Sequence, residues 1–200
     1  MANGLTFTID GNTLALVFDQ KLGRPIGTAF VFIKPNWAVT AKHVVIDKGI
    51  PRSDLFLHFV RGESNARFLY ADKHLDLAVL EVAMSPCERP LFPAHTSLAG
   101  AGGLITAGYK PSKVGTDGSP SIEVNSVPVF TVDTRNGREG PEESIFFEAS
   151  FSEGGHSGGP VFGAGGGVVG VVIEHFKNGG KLTARAISIA PLVAHLQFQI

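Results

Sequence analysis

Short runs of Val, Ile, Phe and Thr, cut every few residues by glycine or proline, commit this chain to β-structure. Of its 200 residues 25 are Gly and 12 are Pro. Both weaken helices and mark turns, while the β-branched and aromatic residues between them suit a pleated, half-buried surface. The runs predict strands at residues 5–9, 13–18, 27–33, 37–41, 55–60, 66–71 and 77–82, then at 104–109, 122–131, 144–149, 159–162, 167–174 and 182–189. Only residues 191–198 space their apolar side chains as a helix does, with Pro191 in the first turn where it is tolerated. Residues 110–120 and 133–143, polar and rich in Gly, Pro or charge, read as loose segments, the second as a mobile surface loop.

Between the two sets of strands stand Pro86, Pro90 and Pro93. Each removes a backbone donor and fixes φ, which disfavours helix and ladder alike and suits a linker. The expected organisation is an N-terminal unit over residues 1–86, a linker over 87–93 and a C-terminal unit over 94–200. A chain of this length buries enough surface to fold without disulfides, and its lone Cys87 offers no intramolecular bridge. That leans towards a reducing, cytoplasmic compartment, although an exported chain whose signal had been removed would read alike. The N-terminus has no basic region and no cleavage pattern behind its apolar run at residues 14–18. The weakly polar stretch 161–173 is too short and too glycine-broken to span a bilayer, so no membrane partner is expected.

Seventeen Lys plus Arg against 18 Asp plus Glu, with no long run of either sign, argue against a nucleic-acid partner. Seven His without His-Glu-x-x-His spacing, beside one Cys, give no metal site. No cofactor is expected.

The stretch EGGHSGGP, residues 153–160, fits two hydrolase signatures. Read as Gly-x-Ser-x-Gly it would be the strand-to-helix elbow of an esterase, which needs a helix straight after Ser157 and then an acid and a His further on. The chain instead continues GGPVFGAGGGVVGVVIEHF, a hairpin pattern whose single acid, Glu174, directly precedes His175. It also lacks the strand–helix alternation of a parallel α/β sheet.

Read as Gly-x-Ser-Gly-Gly-Pro, the same stretch resembles the nucleophile loop of chymotrypsin-like serine proteases. Upstream, WAVTAKH at residues 37–43 resembles the family's strand end closing on Thr-Ala-x-His, and GTAFVF at 27–32 the strand before it. DLAVL at 76–80 resembles the segment that supplies the acid. The order His, Asp, Ser, with intervals of 33 and 81 residues, is similar to that of compact HtrA-like, trypsin-like peptidase domains, here with no PDZ module following. Gly108-Tyr109-Lys110-Pro111 looks like the family's Gly-Tyr-Pro turn, and residues 184–191 like its last strand.

The resemblance implies an all-β fold: two six-stranded antiparallel β-barrels with a short C-terminal helix, His43 and Asp76 on the first barrel and Ser157 on the second. It implies an endopeptidase acting on polypeptides through an acyl-enzyme. A Ser hydroxyl is a weak nucleophile until a base takes its proton and a third group orients that base, so Ser157 would attack, His43 would shuttle the proton and Asp76 would hold the imidazole. The backbone N–H groups of Gly155 and Ser157 would form the oxyanion hole. Phe151, where trypsin-type members carry an acid, does not support a preference for Lys or Arg and leaves a small or apolar P1 residue as the expectation. Ile173, Glu174 and His175 would line the strand that pairs with substrate. His156, in place of the family's usual Asp or Asn, reads as a turn residue. Substrate targeting would fall to surface loops or to a separate targeting or activating protein. The rival function is a protease-like binding module whose catalysis is silent.

Overall fold

The computed structural model describes residues 9–95, 104–114, 120–127, 129–137, 140–148, 155–178 and 180–197. Its first half is a closed antiparallel barrel. Around it run β1 (Leu14–Asp19), β2 (Arg24–Val31) and β3 (Trp37–Ala41), then β8 (Leu77–Val82), β7 (Gly62–Ala71) and β6 (Leu55–Phe59), which returns to β1. In β6 the pattern is period two: Leu55, Leu57 and Phe59 are buried, while Phe56 and His58 are half-exposed. In β3 every residue is buried, as are Leu77 to Leu80 of β8, because the inner face meets the barrel core and the outer face is covered too. Between β3 and β6 come a one-turn helix, α1 (Lys42–Val45), and a minimal hairpin of β4 (Ile46–Asp47) and β5 (Ile50–Pro51). Its two linking residues, Lys48 and Gly49, both take positive φ (49° and 82°), as a tight two-residue hairpin requires.

The second half is an antiparallel sheet of seven strands in the order β10-β9-β13-β14-β15-β12-β11. These are β9 (Leu104–Val114), β10 (Pro120–Val127), β11 (Val129–Gly137), β12 (Gly140–Glu148), β13 (Pro160–Phe162), β14 (Val168–Asn178) and β15 (Lys181–Ser188). The expected second six-stranded barrel is thus represented by a seven-stranded sheet, whose end strands β10 and β11 are not paired with each other among the described residues. Three local expectations are corrected. The polar segment 133–143 is not a loop: β11 and β12 pair from Asp133↔Ser144 to Gly137↔Gly140. Gly108 to Pro111 is not a turn but the middle of β9, and the strand expected at 122–131 is divided into β10 and β11. At 133–143 the backbone ladder forms although the sequence carries no apolar alternation. The strand expected at 5–9 lies largely outside the described residues.

Helix α2 (Ala190–Gln197) buries Leu192 and Leu196, four residues apart and hence on one face, and stacks His195 on Tyr70 of β7 with ring centroids 4.0 Å apart. One apolar cluster joins the two halves: Leu14, Phe30, Val39 and Leu80 of the barrel share it with Tyr109, Phe162, Ile173, Ile187 and Leu192. The proline-rich segment is bonded on both sides despite its prolines. Leu91 exchanges backbone hydrogen bonds with Val31 and Ile33, and Phe92 and Ala94 bond to Val168.

Candidate active site

The site begins where β2 and β3 part. They pair only at Phe30↔Val39 and Val31↔Ala38; beyond that β3 turns away into α1, leaving this edge of β2 without a strand partner among the described residues. The glycine loop of the second half fills the gap. The Thr28 N–H donates to the Ser157 carbonyl (2.8 Å), and the Thr40 hydroxyl donates to the Thr28 carbonyl (2.7 Å). Gly158 sits in the crotch, where a Cβ would overlap Thr28 O and Thr40 Oγ1, and its φ of 88° is one that side chains rarely adopt. The three sequence segments singled out around residues 27, 43 and 157 are therefore one interlocked structure.

Asp76 reaches across to cap α1. Ala41, at the N-cap position, offers no side-chain acceptor. The Asp76 carbonyl accepts from Lys42 N–H (3.1 Å) and its Oδ1 from His43 N–H (2.9 Å), supplying from the start of β8 what a local cap would supply. Oδ2 then lies 2.6 Å from His43 Nδ1. An ionised carboxylate only accepts, so Nδ1 carries the proton and neutral His43 presents a bare Nε2. Burial pushes the Asp76 carboxyl up, but the His43 ring hydrogen bond, the His43 charge and N–H, and nearby Lys42 together outweigh it and hold the carboxyl below its ordinary value. The loop leading to Asp76 is itself braced. Asp72 Oδ1 accepts from the N–H groups of His74 and Leu75, and Lys42 Nζ donates to the Asp72 carbonyl.

Ser157 occupies a four-residue turn closed by Gly159 N–H donating to the His156 carbonyl (2.8 Å). Gly158 N–H and the Gly159 carbonyl bond to Val172 of β14, tying that turn to the sheet. The Ser157 hydroxyl lies 3.5 Å from the Ile173 carbonyl, a long hydrogen bond. No hydrogen bond joins it to His43 among the described residues. Ile173 is the extra residue of a β-bulge, since Val172 pairs with Ala186 and Glu174 already with Arg185, and a bulge is a device that re-aims backbone groups beside a site. The chain leaves Ser157 into β13, not into a helix, which removes the esterase elbow.

Among the other predicted residues, Gly155 has φ 118°, and its carbonyl accepts from the Thr28 hydroxyl (2.5 Å). Glu174 pairs with Arg185 at 3.2 Å, and His175 stands opposite Ala184. Phe151 lies outside the described residues. His156, expected as a turn residue, is 1% exposed, and its ring lies on the backbone of Gly108, where a Cβ would come within 2.7 Å of it. Sequence reading misses Thr28, fully buried, and Tyr109, whose hydroxyl donates to the Leu14 carbonyl (2.9 Å) across the two halves. Burial pushes the Tyr109 phenol far above its ordinary value. The only available signal is the position of Thr28 beside Gly27 in the strand that precedes the His. Among the described residues no three His, Cys, Asp or Glu converge as metal ligands, and no helix is long and apolar enough to cross a membrane.

Comparison with known proteins fits this geometry. The Rv3671c protease from M. tuberculosis in its active form matches with a TM-score of 0.71 at 20% identity, over 92% of this chain and 80% of that one. A Glu endopeptidase in complex with MPD matches with a TM-score of 0.66 at 17% identity, over 96% and 92%. The HtrA-type protease AlgW with a decapeptide matches with a TM-score of 0.64 at 18% identity, over 94% and 64%. No curated protein matches in sequence. A family model described as Trypsin-like peptidase domain, however, matches residues 27–171. That span runs from the glycine beside Thr28 to the strand behind Ser157, well over half of the sequence, and the chain belongs to this family of trypsin-like serine proteases.

Proposed function

We propose that this protein is a serine endopeptidase in which Ser157, His43 and Asp76 act as one triad. The observation that supports the reading is the doubly bonded Asp76–His43 pair, which fixes the tautomer with Nε2 free, together with a loop whose Ser157 carbonyl is bonded to Thr28 N–H on the strand before β3. As the Ser157 oxygen bonds to the substrate carbonyl carbon, its proton passes to His43 Nε2. When the C–N bond breaks, that proton goes to the leaving amine. Water, deprotonated by the same nitrogen, then releases the acyl group. The negative charge on Asp76 offsets the transient imidazolium. The oxyanion forms against the N–H groups of Gly155 and Ser157, neither of which takes part in a backbone hydrogen bond among the described residues.

The substrate is an extended polypeptide. β13 pairs with β14 only as far as Val171, and among the described residues no strand pairs with that edge of β14 at Ile173 and Glu174, the place strand addition would use. A solved relative, AlgW, carries a peptide. With Phe151 six residues before Ser157, the P1 residue is small or apolar rather than basic. In this reading the second sheet serves as the second barrel, since its edge strands β10 and β11 end at Val127 and begin at Val129, next to each other in the chain. A silent binding module is favoured by one observation, the Ser157 hydroxyl facing Ile173 rather than His43. A fluorophosphonate probe decides. Wild type labels, whereas Ser157→Ala does not and His43→Ala labels at a small fraction of the rate. A wild type inert to the probe while folded supports the binding module instead.

A further inference from the structure

We propose that Thr28 is a positioning residue that sets the oxyanion loop across the boundary between the two halves, an inference that rests on the endopeptidase reading for its kinetic consequence. Thr28 stands on β2 of the first barrel and is wholly enclosed. Its hydroxyl has two partners, both in the second half: it donates to the Gly155 carbonyl (2.5 Å) and accepts from Tyr109 N–H (3.0 Å). Those partners fix the direction of the hydroxyl proton. A backbone N–H only donates and a carbonyl only accepts, so the proton must point at Gly155 and the lone pair at Tyr109. The same residue's N–H holds the Ser157 carbonyl (2.8 Å), and its carbonyl is braced by the Thr40 hydroxyl (2.7 Å).

The loop needs such an anchor. Gly154 and Gly155 have no side chains to pack, and glycine leaves the backbone a wide choice of angles. Gly155 sits at φ 118°, and its own N–H is one of the two proposed oxyanion donors. The His156 ring packs on Gly108, but a ring does not set the rotation of the glycine peptides before it, which keep a productive orientation only if their main-chain groups are held. Here the carbonyls of Gly155 and Ser157, which flank His156, are both held by Thr28. Tyr109, the other partner, is tied by its phenol to the Leu14 carbonyl of β1. The anchor is therefore set in the buried cluster joining the two halves, where supporting hydrogen bonds hold a site most firmly.

The test compares wild type with Thr28→Val, which keeps the shape and removes the hydroxyl, and Thr28→Ser, which keeps the hydroxyl. Hydrogen exchange is followed in residues 155–159, with β8 as an internal reference, alongside kcat and KM on a peptide substrate. Thr28→Val is expected to speed exchange in 155–159 at least tenfold while leaving β8 unchanged. It should lower kcat by about 10²-fold, the lower end of what losing one oxyanion donor costs, with KM within about threefold. Thr28→Ser should reverse most of both effects. Unchanged exchange in Thr28→Val, or a serine variant no better than the valine one, overturns the proposal. Where the valine variant does not fold, Thr28→Ala takes its place against Thr28→Ser with the same criteria. If wild type neither labels nor cleaves, the endopeptidase reading fails, and the exchange comparison still decides whether Thr28 holds the loop.

Discussion

Replacing Asp76 by Asn tests the site at its most constrained point. The two oxygens of Asp76 do different work: Oδ1 accepts from His43 N–H at 2.9 Å and Oδ2 faces His43 Nδ1 at 2.6 Å. In the Asp76→Asn variant one of these becomes an NH₂. It cannot face the backbone N–H, a fixed donor, without leaving two donors opposed, so the amide oxygen must take the Oδ1 position and the NH₂ must face the ring. Nδ1 is then forced to accept, the ring proton moves to Nε2, and the nitrogen that should take the Ser157 proton already carries one. The cap on α1 survives as a neutral hydrogen bond, so stability falls by only about 1 kcal/mol. Turnover falls far more, on the order of 10⁴-fold, as known for this exchange in another Asp–His–Ser protease, equivalent to about 5.5 kcal/mol of activation free energy. Steady-state kinetics on a peptide substrate, with urea denaturation on the same preparation, separates the two quantities. Folded Asp76→Asn enzyme with kcat within tenfold of wild type would refute the tautomer argument, and equal losses in both measurements would show a structural role only.

The Asp76 carboxyl is held below its ordinary range when folded; it therefore contributes stability that is present above its unfolded pKa of about 3.9 and is lost as pH falls through the lower folded value. Urea midpoints of wild type and Asp76→Asn should converge on going from pH 6 towards pH 3, and a gap that widens on acidification contradicts the sign. Gly158→Ala should cost about 3–5 kcal/mol or prevent folding, since a φ of 88° and the overlap with Thr28 O add together. Gly49→Ala, at φ 82° with nothing near its Cβ, should cost only about 1–2 kcal/mol. Equal losses by urea denaturation would show that close approach plays no part.

Much of the barrel is legible in the sequence because its strands are apolar runs with sharp ends. WAVTA and LAVLEV are too short for helices, and burial on both faces leaves residues 37–41 and 77–80 without a charge. The tip of the β11–β12 hairpin, residues 133–143, escapes such a reading because its sequence carries no alternating apolar residues. Its strands form through the backbone, one of them pairing with β15, and a polar, charged sequence gives a reader no sign of a ladder. His156 does stand in the turn closed by Gly159 N–H, but its burial has no local signal: the bare backbone of Gly108, 48 positions earlier, makes a place for the ring.

By itself the sequence determined which residues are the candidates for the chemistry, since a Ser among glycines, a His closing a strand and an Asp opening one are local patterns set by turns and strand ends. Only the tertiary structure decided how they are held: the cap that Asp76 provides to α1 from another strand, the bulge that aims Ile173 at Ser157, and the Thr28 hydroxyl joined to groups 127 and 81 positions away. Hydrogen bonds between buried groups so distant in the chain depend on where the two halves dock, and docking is a property of the packed core rather than of any local run of residues.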